Sequence, residues 1–197
     1  MRTLLVVLLL LVATATPAAA AIPLEAGTPL NQSAGARCVN GFNTAGHLLV
    51  SVACARANPT LPGIGPVVAI RATYAVVRLS DPDKWDQLPR VAGHPTAVTG
   101  SLEGTVGSSV CGISRVGGTR CGVIQAKNAS ITFPGGTVTG LTRTSLCVHP
   151  GEDWVPVVAG GQAQGHLIGG SGSGSCSSYF YPLSRILAAE RLTLVTA

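Results

Sequence analysis

The chain has 197 residues, of which 46% are hydrophobic and 11% charged, with a formal net charge of +5. Its Lys and Arg residues are scattered with no basic run, which argues against a nucleic-acid binder, although a mildly basic surface still favours anionic partners. After the first stretch no segment is long and apolar enough to read as a membrane-spanning helix.

The chain opens with Met1-Arg2-Thr3, then the run LLVVLLLLVA, then the small-residue stretch TATPAAAAIP. A short positive start, an apolar core and an A-x-A-like end form a secretory signal peptide, expected over residues 1–21 with cleavage after Ala20 or Ala21. The competing reading is a membrane anchor, but the run falls short of the ~20 residues that cross a bilayer. Cleavage removes Arg2 and leaves twelve basic against eight acidic residues, a net +4. The expected product is secreted, monomeric and free of the membrane. Residues 22–36 read as a short lead-in.

Next come short apolar runs separated by Gly, Pro or Asn: Cys38–Phe42, Leu48–Val52, Val67–Ile70 and Tyr74–Leu79. The stretch from Ser80 to Thr99 is richer in Pro and charge and reads as the connection between two halves, expected as 22–88 and 89–197. In the second half the runs are Val123-Ile124, Ala129–Phe133, Thr137–Leu141, Val155–Val158 and Gly165–Ile168. Such runs read as strands, and many short strands with Gly/Pro turns indicate an all-β barrel or sandwich. One helix is expected, at the C-terminal end. Pro182 suits its first turn, Leu183, Ile186 and Leu187 give an apolar face, and it should stop near Arg191.

Six cysteines follow the leader: Cys38, Cys54, Cys111, Cys121, Cys147 and Cys176. An even number in an exported chain indicates three disulfides, and no C-x-x-C pair suggests zinc. The residues alone permit fifteen connectivities.

Several stretches, in order, resemble the streptogrisin and α-lytic protease branch of the chymotrypsin family of trypsin-like serine proteases. They are Arg37-Cys38-Val39-Asn40-Gly41-Phe42-Asn43, Tyr74–Arg78, Cys121–Ile124, Pro134–Val138, Gly140–Thr144, Cys147, Pro150-Gly151, Gln162–Gly165, Gly169–Gly172 and Phe180–Leu183. The resemblance covers nearly all of the mature chain. It implies two antiparallel six-stranded Greek-key barrels with the active site in the cleft between them. It also implies the pairing Cys38–Cys54, Cys111–Cys121 and Cys147–Cys176.

The family's chemistry needs a histidine base, an aspartate that orients it, a serine nucleophile and backbone N–H groups for the oxyanion. Placed by their flanking residues, the three side chains are replaced. Ala53, before Cys54, stands where T-A-G-H-C has histidine. Thr73 stands where D-Y-A has aspartate. Asp153, after Pro150-Gly151-Glu152, stands where P-G-D-S-G-G has serine. No residue is therefore expected to be catalytic. Trp154 and Val155 occupy the positions of the two glycines, adding bulk where a backbone must approach substrate closely. Ile168, with Gly169 and Gly170, lies on the strand that pairs with substrate in the family, Ile168 standing in for a serine. Trp154 is either a ligand contact in that former cleft or a plug that fills it.

Thr44-Ala45-Gly46-His47 spells the histidine motif but lacks the cysteine after it, and His47 reads as a solvated turn residue. Gly169–Gly174 resembles a nucleophile loop, but Ser171 leaves too little chain for the rest of a barrel and reads as a loop residue at a pocket rim. His149, Glu152, Asp153 and His166 have no compact ligand spacing, so no metal or other cofactor is expected. Asp81, Asp83 and Asp86 read as loop charges, Trp85 as structural, and Asn128-Ala129-Ser130 as a glycosylation pattern of little meaning in a bacterial chain.

These readings point to a secreted, non-catalytic protease homologue that binds a protein or peptide partner. The alternative is a secreted endopeptidase using an atypical catalytic set. A third reading is a decoy or inhibitor that competes for peptides, partners or protease inhibitors.

Overall fold

Alternating burial along the strands divides their side chains among three apolar clusters, and these clusters define the architecture. The computed structural model describes residues 20–30, 37–133, 135–149, 152, 154–171 and 175–197. The expected leader, apart from Ala20 and Ala21, and the expected nucleophile position Asp153 lie outside the described residues.

The N-terminal half contains β1 (Ile22–Ala26), β2 (Pro29–Leu30), β3 (Cys38–Val39), β4 (His47–Val50), α1 (Val52–Ala57), β5 (Thr60–Leu61), β6 (Gly65–Ile70), β7 (Ala75–Arg78) and β8 (Trp85–Val91). Strands β4, β7, β6 and β5 form one sheet, while β2–β3 and β1–β8 form two-stranded sheets. The β1–β8 pairing is parallel, a departure from the antiparallel expectation. It recruits part of the Pro-rich stretch that the sequence presents as a connection.

The C-terminal half contains β9 (Ser109–Ser114), β10 (Gly118–Phe133), β11 (Gly136–Thr144), β12 (Pro156–Ala159), β13 (Gln162–Ser171), β14 (Ser177–Pro182) and α2 (Leu183–Glu190). Its six strands close into a barrel in the order β10-β11-β14-β13-β12-β9. The two-barrel architecture thus stands, with the closed six-stranded ring confined to this half. The separate runs Val123-Ile124 and Ala129–Phe133 are parts of one long strand, β10, with register shifts along it.

On β4, Leu48 and Val50 enter the N-terminal core with Ala75 and Val77 of β7, whereas Leu49 and Val76 point the other way. In the C-terminal barrel Val110, Ile124, Val157, Leu167 and Phe180 form the interior. Leu49 and Val76 instead meet Ile113, Val158 and Ala163 of the second half in a shared cluster between the halves. The period-2 geometry of a strand makes this possible: one face serves its own barrel and the other serves the interface.

Helix α2 begins immediately after Pro182, buries Leu183 and Ile186 and ends at Arg191, whose left-handed backbone (φ 53°) closes it. Its last residue, Glu190, accepts from Arg71 Nε at 2.7 Å and from the Tyr74 hydroxyl at 2.9 Å, tying the helix to the N-terminal half. Beyond it the chain returns to the same half: Ala45 N donates to Thr193 O and Val195 N to Asn43 O, both at 2.9 Å. The three disulfides are Cys38–Cys54, Cys111–Cys121 and Cys147–Cys176, the set the family resemblance implies. No helix among the described residues is long and apolar enough to cross a membrane.

Candidate functional site

Strand register puts two of the expected positions, Ala53 and Thr73, at one end of the β4–β7 pair. Val50 of β4 lies opposite Ala75 of β7. Ala53 follows Val50 by three residues and Thr73 precedes Ala75 by two, so both lie at that end. Ala53 is exposed in the first turn of α1, a helix the sequence reading did not anticipate. Ser51 caps this helix, its hydroxyl accepting from Cys54 N at 3.2 Å. Thr73 is buried. Neither side chain can accept a proton as a base or carry a negative charge at neutral pH.

Trp154 reaches the same end of β4 from the C-terminal half. Its ring is only 2% exposed and its indole N–H donates to the Leu49 carbonyl at 3.2 Å. It stacks on His166 of β13, with ring centroids 4.3 Å apart and planes 11° from parallel. The indole belongs to the apolar cluster between the halves. A ligand contact would need ring surface that is not offered here. The residue holds a left-handed backbone (φ 57°), a conformation that costs a residue with a Cβ about 1 kcal/mol or more. Packing, stacking and the Leu49 bond offset that cost.

The sequence presents His166 only as a metal candidate without ligand spacing, yet it is the centre of this arrangement. It is 1% exposed. Its Nε2 accepts from Phe42 N at 2.9 Å, which fixes the neutral ring with its proton on Nδ1. Nδ1 is buried and has no hydrogen-bond partner among the described residues. Burial pushes its pKa down to about 3. Gly41 makes the seat possible: a Cβ there would lie 2.7 Å from His166 Nε2 and 2.8 Å from Leu49 O. The one available signal was a lone histidine inside the small and apolar run Gly165–Ile168.

Glu152, one residue before Asp153, anchors the segment that carries Trp154. Its carboxylate is fully buried, pairs with Arg120 of β10 and accepts from His149 N at 2.8 Å. Burial alone would raise its pKa, but Arg120 and the His149 N–H outweigh it and hold the carboxyl below its ordinary value. The pair resists detection in sequence because 32 positions separate its partners. The metal candidates do not assemble: Glu152 is spent on Arg120, His166 is sealed under Trp154, and His149 is exposed. Among the described residues no cluster of His, Cys, Asp or Glu could hold a metal ion.

Ile168, Gly169 and Gly170 lie on β13, which pairs with β14 through Gly169↔Tyr179 and Gly170↔Ser178. On the other side, pairing with β12 ends at His166, and Leu167 N donates to Val155 O at 2.9 Å. Beyond it, no described strand pairs with Ile168–Gly170 on that side. Ile168 is half-buried against the interface cluster, and the Cβ position of Gly169 lies 3.3 Å from the Phe133 ring. Among the described residues, the side chains of His47 and Ser171 make hydrogen bonds only to chain neighbours. The His47 ring lies 3.0 Å from Ala45 O, and the Ser171 hydroxyl bonds Ser175 O and Ser177 N.

The chain's relatives agree with this architecture. It is 38% identical to streptogrisin-C of Streptomyces griseus over 179 residues, which cover 80% of this chain and 36% of that protein. It is 27% identical to streptogrisin-A of the same organism, over 88% of this chain and 62% of that one. The chain thus spans about a third of the length of streptogrisin-C. Among solved structures, Cellulomonas bogoriensis chymotrypsin superposes with a TM-score of 0.77 at 33% identity, over 89% of this chain and 100% of the other. Thermobifida fusca protease A gives 0.73 at 31% identity with the same coverage. No family model matches the chain. With both solved relatives covered end to end at more than 30% identity, the chain belongs to the streptogrisin and α-lytic protease branch of the chymotrypsin-like serine proteases.

Proposed function

We propose that this chain is an exported, non-catalytic member of its family that binds a protein or peptide partner along the edge of β13 at Ile168–Gly170. The observation that carries the reading is the seat of Trp154, where an indole stacked on His166 and bonded to Leu49 fills the space between the halves. Ala53 and Thr73 at the adjoining strand end add no base and no carboxylate. On the side of β13 at Ile168–Gly170 where no described strand pairs, backbone N–H and C=O groups are a surface on which an extended main chain can add as a strand. The leader-like start and three disulfides fit an oxidising, extracellular setting.

The test is turnover. Purified protein is assayed on casein and on short chromogenic peptides, and is treated with a serine-reactive fluorophosphonate. Neither hydrolysis nor labelling is expected, while a pull-down from culture fluid should retain a partner that a substitution of Gly169 releases. Hydrolysis by the purified protein would sink the reading.

A second reading, a secreted serine endopeptidase with an atypical catalytic set, is favoured by the relatives, which bear the names streptogrisin, chymotrypsin and protease. It requires cleavage that His47→Ala or Ser171→Ala abolishes.

A further inference from the structure

The three disulfides differ in what would hold their sulfurs together once the bond is opened. Cys38–Cys54 joins β3 to α1 and is sealed, its residues 3% and 0% exposed. Cys147–Cys176 ties the segment after β11 to the segment before β14, and neither cysteine stands in a strand. Cys111 of β9 and Cys121 of β10 instead stand directly opposite each other in one antiparallel ladder. That ladder runs without a register shift from Ser109↔Val123 to Ser114↔Gly118. The two Cα atoms are 4.0 Å apart, and both residues are half-buried.

We propose that Cys111–Cys121 is a thiol–disulfide exchange site: a small dithiol opens it on the folded chain, leaving two facing thiols in an intact barrel, and oxidation closes it again.

The strands do not depend on this bridge. Pairing holds β9 against β10 on both sides of it, through Val110↔Gly122 and Gly112↔Arg120. Each strand is also paired along its other edge, β9 by β12, with Val158 opposite Cys111, and β10 by β11. A disulfide restricts the unfolded chain less as the ring it closes shortens, and the sequence separation is 10 here against 16 and 29 in the other two. Opening it therefore removes little that the closed ring of strands does not already secure. The same register keeps the two thiols side by side, so reclosure is an intramolecular step between pre-positioned groups.

The exchange balances. One thiolate of the dithiol attacks a sulfur of the bridge and the other cysteine leaves as a thiolate. The second thiol of the reagent then resolves the mixed disulfide. Two electrons and two protons pass to the protein, and the reagent departs as its own disulfide. Attack needs access to sulfur, which burial denies to Cys38–Cys54 while the chain stays folded. Cys147–Cys176 is half-buried as well, but no described ladder sets its two cysteines opposite each other, so its thiols part once freed. The exchange site stands whether or not the chain hydrolyses peptides, so its test is independent of turnover.

The folded protein is treated with dithiothreitol under native conditions, quenched with N-ethylmaleimide at intervals and mapped by peptide mass spectrometry. Cys111 and Cys121 should be labelled several-fold faster than the other four cysteines, with far-ultraviolet circular dichroism unchanged. Transfer of the reduced sample to oxidised glutathione should restore the Cys111–Cys121 bridge without mispaired products. The double variant Cys111→Ala, Cys121→Ala should fold and keep the parent's spectrum. The proposal is overturned if these two cysteines are labelled only as the β-signal is lost, or if Cys147 and Cys176 open first. It is equally overturned if glutathione adducts persist in place of the bridge, or if the double variant does not fold.

Discussion

The indole N–H of Trp154 donates to the carbonyl of Leu49 across 105 positions of sequence, and this single bond joins the segment before β12 to the strand that leads into α1. Replacing Trp154 by glycine relieves a left-handed backbone but empties a packed seat. Removing a buried aromatic typically costs about 3–5 kcal/mol, against the ~1 kcal/mol of relief. Trp154→Gly should therefore lower stability by roughly 2–4 kcal/mol in urea denaturation. An unchanged midpoint would show that the indole is not a packing element.

The Arg120–Glu152 pair should be costly to break from one side. Arg120→Met leaves a buried carboxylate without its cation, a loss of about 3 kcal/mol or more. The carboxyl is held below its ordinary 4.5, so its contribution is present above that pH and is lost as the pH falls below it. The stability gap between parent and variant should thus narrow in acid. A gap that stays constant from pH 7 to pH 3 would remove the ion pair from the account.

Tyr74 should titrate late. Burial, the hydrogen bond to Glu190 and that residue's charge raise its phenol to about 12. Because the folded value lies above the ordinary 10.0, the stabilisation is complete below that pH and disappears as the pH climbs through the raised value. Ultraviolet difference titration should find a late phenol that Tyr74→Phe abolishes. At neutral pH the same variant should cost about 1.5–3 kcal/mol, the worth of one hydrogen bond to a charged acceptor.

On the proposed non-catalytic reading, placing the family's residue types at the three expected positions should not confer turnover. Ala53→His, Thr73→Asp and Asp153→Ser together return the three family residue types to their sequence positions, yet Trp154 still occupies the space between the halves. The triple variant is expected to release no product from peptide substrates above the buffer rate. Measurable turnover would mean that the indole does not obstruct the site.

The sequence made some of these features readable and hid others for physical reasons. The disulfide partners and the final helix were accessible, the first through an ordered resemblance and the second through Pro182 and the spacing of Leu183 and Ile186. β8 was hidden because Pro89 and three nearby aspartates mask a strand that owes its existence to pairing with β1. α1 was hidden because Val52 continues the apolar run of β4, and only the Ser51 cap turns the chain. At the site, the identities of Ala53 and Thr73 could be read locally. The pairing of Glu152 with Arg120 and the seat of His166 depend on chain returning from far away, which no local pattern encodes.

The hydrogen bonds from residues 193–197 back to the first half bear on how the molecule is assembled. Val195 meets Asn43 from about 150 positions downstream, and Ala45 N donates to Thr193 O at 2.9 Å. A chain threading out of a cell from its N-terminal end would present the first sheet long before the strand that ties it down arrives. That interval leaves an incomplete surface open to chaperones or to stray strands, and such long-range closure is intrinsically slow. Timing of emergence, as much as final stability, then sets the yield of correctly joined protein.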